Sequence, residues 1–191
     1  MRLAMLVLLA GSTASADPGD YRVGIAGTLV EQHSNLATDV SRTPGLGVVL
    51  DWAKMRSEHF ALGAHVGWSS SFNRANLFGA EETTFQQLFE AHMLLEWRAG
   101  PAVIGGSFGL GVLDARGSYS DMNGDPDHTD FAFGVRAHVA YTVGSIDSCA
   151  FAVTGSASLF SLLHASGVCG GELSCADQAT ALSLGVAFSP R

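Results

Sequence analysis

The stretch TDFAFGVRAHVAYTV, Thr129 to Val143, alternates with a period of two. Phe131, Phe133, Val135, Val139, Tyr141 and Val143 fall on one side; Gly134, Arg136, His138 and Thr142 fall on the other. Successive side chains of a strand point to opposite faces, so this segment is a β-strand with two unlike faces. The alternation recurs along the chain, and the choice of which face lies inside decides what the chain can fold into.

Segments of this kind, alternating or broken by Gly, run over Tyr21–Glu31, Gly45–Lys54, His59–Ser70, Phe85–Arg98, Val103–Ala115, Asp130–Val143, Ala150–His164 and Thr180–Phe188. They are about 9–15 residues long, against a mean of about 5–6 for strands of globular proteins. Strands that cross a bilayer need about 9–11. The connections alternate. Lys54 to His59, Arg98 to Val103 and Val143 to Ala150 are short, whereas Gln32–Pro44, Ser71–Thr84, Arg116–Thr129 and Ala165–Ala179 are long and polar. Short turns on one side and long loops on the other are the pattern of a bacterial outer-membrane barrel, with the short turns in the periplasm. The spacing predicts an all-β chain: an eight-stranded antiparallel up-and-down transmembrane β-barrel with short periplasmic turns and four long outer loops.

The facing follows from the other segments. Phe85, Gln87, Phe89, Ala91, Met93, Leu95 and Trp97 oppose Gln86, Leu88, Glu90, His92, Leu94, Glu96 and Arg98. Leu46, Val48, Leu50 and Trp52 oppose Gly47, Val49, Asp51 and Ala53, and Leu182, Leu184, Val186 and Phe188 oppose Ala181, Ser183, Gly185 and Ala187. One face is bulky and apolar; the other is small residues punctuated by ionisable ones. A soluble barrel would put the bulky face inside and Lys, Glu and Thr outside. A narrow eight-stranded barrel has room inside only for modest side chains, while bulky apolar ones suit lipid. The Phe face is therefore expected outside, with Arg136 and His138 inside. Aromatics add two belts, as at headgroup layers: Tyr21, Trp52, Phe60, Trp97, Tyr141, Phe151 and Phe188 at the short-turn end, and Trp68, Phe85 and Phe131 at the other.

Composition agrees. Only 15% of the 191 residues are charged, Gly numbers 23, and the net charge of −8 argues against a nucleic-acid partner. Met1-Arg2, the apolar run Leu3–Ala10 and the small-x-small end Ala14-Ser15-Ala16 predict a signal peptide over 1–16. The barrel domain then spans 17–191 as a single unit, exported to the outer membrane. Cys169 and Cys175 flank a short polar loop and can close a disulfide in an oxidising compartment, which leaves Cys149 over. No C-x-x-C spacing points to a metal.

At this point the chain resembles the small eight-stranded outer-membrane barrels of the OmpA transmembrane domain and OmpX type, over essentially Asp17 to Arg191. Such barrels commonly end in an aromatic residue that the assembly machinery reads; Phe188 matches, followed here by Ser189-Pro190-Arg191. The resemblance implies outer-membrane lipid and that machinery as partners.

Three groups could carry chemistry. The inward ionisable set is Arg22, Asp51, His65, Glu90, His92, Glu96, Arg98, Arg136 and His138. Buried charges must be paired or solvated, so this set reads as a lumen charge network, with a narrow ion path as the alternative; Glu90 is expected to face Arg136 or His138. No nucleophile is patterned among them. Asp121, Asn123, Asp125, Asp127 and Asp130 could offer oxygens to Ca²⁺, but Gly124 and Pro126 break the EF-hand spacing. His164 and Ser166 weakly resemble the His-x-Ser pair of lipid A deacylase barrels, with Glu172 as orienting acid. The expected role is structural, adhesive or surface-binding through the outer loops, without enzymatic activity or cofactor; the alternatives are a lipid-modifying enzyme using His164 and Ser166, or a narrow channel.

Overall fold

The computed structural model describes residues 21–33, 38–77, 80–119, 127–163 and 178–190. The described residues form eight strands: β1 (Tyr21–His33), β2 (Thr38–Met55), β3 (Phe60–Leu77), β4 (Ala80–Ala99), β5 (Ala102–Tyr119), β6 (His128–Ile146), β7 (Cys149–Leu163) and β8 (Gln178–Pro190). Each pairs with its sequence neighbour, and β1 pairs antiparallel with β8, from Val23 opposite Phe188 to His33 opposite Gln178, which closes the barrel. Closure removes the sheet edges that lipid could not hydrogen-bond. No described helix is long and apolar enough to cross a membrane.

The facing is the one the alternation implied. Along β6, Val135 is 52% exposed and its neighbour Arg136 only 7%. Phe131, Phe133, Val139, Tyr141 and Val143 stand on the outer surface with it, as do Met93 and Leu95 of β4 and Leu182, Leu184 and Val186 of β8. From Phe131 to Tyr141 a strand at about 3.3 Å per residue runs roughly 33 Å. At a tilt of about 40° that spans about 25 Å, the height of an outer-membrane barrel's apolar band. At the short-turn end, Phe60 lies opposite Trp97 and Tyr21 opposite Trp52, and the Phe151 and Phe188 rings meet edge-on at 5.1 Å.

Three of the four long loops are shorter than expected, and the fourth, Ala165–Ala179, lies mostly outside the described residues. Much of Gln32–Pro44 and Arg116–Thr129 is strand, and Ser71–Thr84 is almost wholly paired, from Phe72 opposite Phe85 up to Leu77 opposite Ala80. Outside the apolar band a ladder needs only its backbone hydrogen bonds, so side-chain periodicity fades where the strand continues. Polar cross-strand pairs such as Arg74 with Glu81 (2.8 Å) replace the apolar ones. The connections at the other end are tight. Gly100 and Asp147 take the left-handed conformation, at φ 57° and 52°, which reverses the chain within two residues.

Candidate functional site: the lumen

Inward positions of neighbouring strands fall in register, so the ionisable side chains collect in rows. Arg22, Asp51, His65 and His92 lie opposite one another in sequence across β1 to β4. Arg22 donates from Nε (3.1 Å) and Nη2 (3.0 Å) to Asp51 Oδ2, and also pairs with Glu96. His65 Nδ1 donates to Asp51 Oδ1 (2.6 Å). Glu96, fully buried, further accepts from Arg98 (2.8 Å) and from His138 Nε2 (3.1 Å). His138 lies over Gly105, where a Cβ would come within 2.2 Å of the imidazole. The side chains that cross the lumen therefore depend on missing ones opposite.

Glu90 departs from expectation. Its described partners are His65 Nε2 (3.3 Å) and His92 Nε2 (3.7 Å), and not Arg136 or His138; Arg136 Nη1 instead stands 4.0 Å from Asp51 Oδ1. Register brings these three together: His65 of β3 lies opposite His92 of β4, and Glu90 is the next inward residue of β4, opposite Gly67. Arg22, Arg98 and Arg136 face Asp51, Glu90 and Glu96 in this layer, so the fixed charges balance. A serine also enters: Ser107 Oγ and His92 Nδ1 share a hydrogen bond of 3.0 Å, a contact the alternation did not single out. Ser107, His92 and Glu90 are each more than nine-tenths buried.

Toward the long-loop end the lumen turns apolar. Val30, Leu88, Leu113, Ala132, Phe160, Leu162, Ala179 and Ala181 form one buried cluster. Phe160 is fully buried, and a Cβ on Gly134 would fall 2.3 Å from its ring. The alternation places Leu88 inside but otherwise implies small and ionisable residues there, and does not by itself reveal this plug. Its signal was present: Phe160 has the parity of Ala152 and Ser158, with Gly134 on the next strand to receive it. Above the plug, Gln86 Nε2 donates to Gln32 Oε1 (3.0 Å) and Gln32 bonds His128 (2.8 Å). There the described β1–β2 ladder stops at Thr28 opposite Gly45; Val30 N donates to Ser71 Oγ (3.0 Å), and Val30 O accepts from Ser71 Oγ (2.7 Å) and Asn73 Nδ2 (2.8 Å).

The other sequence candidates scatter or fall outside the described residues. Asp127 binds Gly117 N (3.0 Å) and Arg116 (3.2 Å), and Asp130 lies 3.7 Å from His128. Asp121, Asn123 and Asp125, the signal peptide, Cys169 with Cys175, and His164, Ser166 and Glu172 lie outside the described residues. Among the described residues no group of His, Cys, Asp and Glu is arranged to hold a metal ion, and Cys149, at the start of β7, is a free thiol.

No family model matches the chain, and no curated protein matches it. Solved structures do. Ail, the attachment invasion locus protein of Yersinia pestis, superposes with a TM-score of 0.53 at 10% identity, over 88% of this chain and 95% of that one. The same protein in complex with the heparin analogue sucrose octasulfate gives 0.52 at 13% identity, with the same coverage. Neisserial surface protein A gives 0.44 at 10% identity, over 92% of this chain and all of that one. At these identities the likeness is one of fold. Eight antiparallel strands in a closed ring, an apolar girdle outside and a polar lumen inside give this chain the fold of the small eight-stranded outer-membrane β-barrels.

Proposed function

We propose that this protein is a closed outer-membrane barrel that works at the cell surface through its projecting hairpins, as a structural and surface-binding element. The observation that carries this reading is the lumen filling: Phe160 and its apolar neighbours block the passage above the ion-paired layer. A water-filled pore needs a continuous polar lining, and the described residues do not give this lumen one. The hairpins supply the working surface. β4 has 20 residues, roughly 66 Å of strand at about 3.3 Å per residue, so it rises well beyond a band about 25 Å tall. With a net charge of −8 the chain suits cationic or neutral partners better than sulfated polyanions, the ligand class named for the Ail complex.

The test has two arms. Purified protein in planar bilayers at neutral pH should show no steady conductance. Cells displaying it should adhere to host-cell or matrix surfaces, and should lose adhesion when the Ser71–Thr84 hairpin is shortened to a tight turn with the barrel intact. Steady conductance, or unchanged adhesion after shortening, overturns the reading. Under it, Ser166→Ala leaves the lipid A profile unchanged; a changed profile favours the enzyme.

A further inference from the structure

We propose that the periplasmic half of the lumen contains a binding site for a single ordered water, held between Arg136 and His138. Arg136 is 7% exposed, yet its Nε and Nη1 donors have no hydrogen-bond partner. The carboxylate closest to it, Asp51 Oδ1, stands 4.0 Å from Nη1 and already accepts from His65. His138 is 5% exposed and gives its Nε2 proton to Glu96. In the neutral imidazole Nδ1 is then an acceptor, and Nδ1 too is unpartnered. Both side chains line one partly open cavity, which Asp51, Ala26, Val49, Thr154 and Ser183 also line.

Size and chemistry select the occupant. The cavity offers about 10 Å³ of room for a water's centre, and one water needs about 10–15 Å³ by that measure. A water accepts from Arg136 and donates to His138 Nδ1, so it meets both unfilled needs at once. A halide could take the Arg136 protons but has none to give to Nδ1. It would also sit beside Asp51 in a layer whose fixed charges already balance. An apolar filling fails because it leaves buried donors unpaired, and buried polar groups are paired or wet. Arg136 is thus the solvated cation of the lumen, in contrast to Arg22, which two carboxylates clamp.

The experiment is a high-resolution crystal structure of the full chain with bromide replacing chloride, together with proton NMR of the wild-type protein in detergent. The expected result is one oxygen peak at hydrogen-bond distance from Arg136 and His138 Nδ1, no anomalous bromide signal there, and a water exchange peak at Arg136 Nε–H. In Arg136→Met the peak should vanish. Bromide in the cavity, a dry cavity with the guanidinium turned onto Asp51 or Glu90, or a peak that survives in Arg136→Met would each overturn the proposal. The wild-type NMR measurement decides alone if the variant does not fold.

Discussion

Glu96 is where single-residue chemistry matters most. It is fully buried and accepts from Arg22, Arg98 and His138. Removing one partner of a buried ion pair leaves the others uncompensated, at a cost of about 3–5 kcal/mol. Glu96→Ala should therefore destabilise the barrel by about that much in reversible urea unfolding, and by more than Glu96→Ala combined with Arg98→Met, because Glu96 is the carboxylate that pairs with Arg98 and the second change removes the cation left behind. Phe160→Ala should cost about 3–5 kcal/mol through lost burial and the cavity left behind. Gly134→Ala, whose methyl would meet the same ring at 2.3 Å, should cost about 1–3 kcal/mol from overpacking. An unfolding midpoint unchanged in Gly134→Ala would mean that Phe160 does not pack there.

At the scale of the element, β6 carries the facing and the β5–β6 hairpin carries the outer end. Val135→Arg puts a cation on the lipid side near mid-strand, which costs about 2–4 kcal/mol at the bilayer midplane. Thr142→Lys, near the periplasmic mouth, should cost much less. Equal folding yields of the two in lipid vesicles would contradict the assignment. Outside the girdle, Gly117 N–H and the Arg116 guanidinium hold the Asp127 carboxyl below its usual range. A carboxyl whose folded pKa is depressed supports the fold above its unfolded value, about 3.9 for Asp, and gives that support up as pH falls toward the folded one. The Gly117 amide should accordingly lose hydrogen-exchange protection as pH drops below about 4, and Asp127→Asn should weaken protection already at neutral pH. These outer parts were the least legible in the sequence. Residues such as Arg74 and Glu81 keep no apolar period, because water on both sides of a projecting hairpin asks none of them. Inside the girdle lipid imposes the period, and strands such as Phe131–Tyr141 could be read directly.

For the whole molecule, strand number, order and facing were readable because two solvents, lipid and a narrow polar lumen, act on alternate residues of every strand. The partners inside the lumen were not. Glu90 meets His65 because of register, and register is set between strands that the sequence does not align. The Phe160 plug was hidden because its large apolar residues, Leu88, Leu113, Phe160 and Leu162, are spread over three strands, and nothing gathers them until register places Gly134 opposite Phe160. The central claim, that the bulky face meets lipid and the lumen is packed shut, has a direct test without any mutation. In methyl-labelled protein in nanodiscs, acyl-chain protons should give nuclear Overhauser effects to Val135, Val139, Leu110 and Leu184, each at least half exposed. They should give none to Val30, Leu88, Leu94 and Leu113, which are 0–1% exposed. Lipid contacts to the second group, or their absence from the first, would contradict the account.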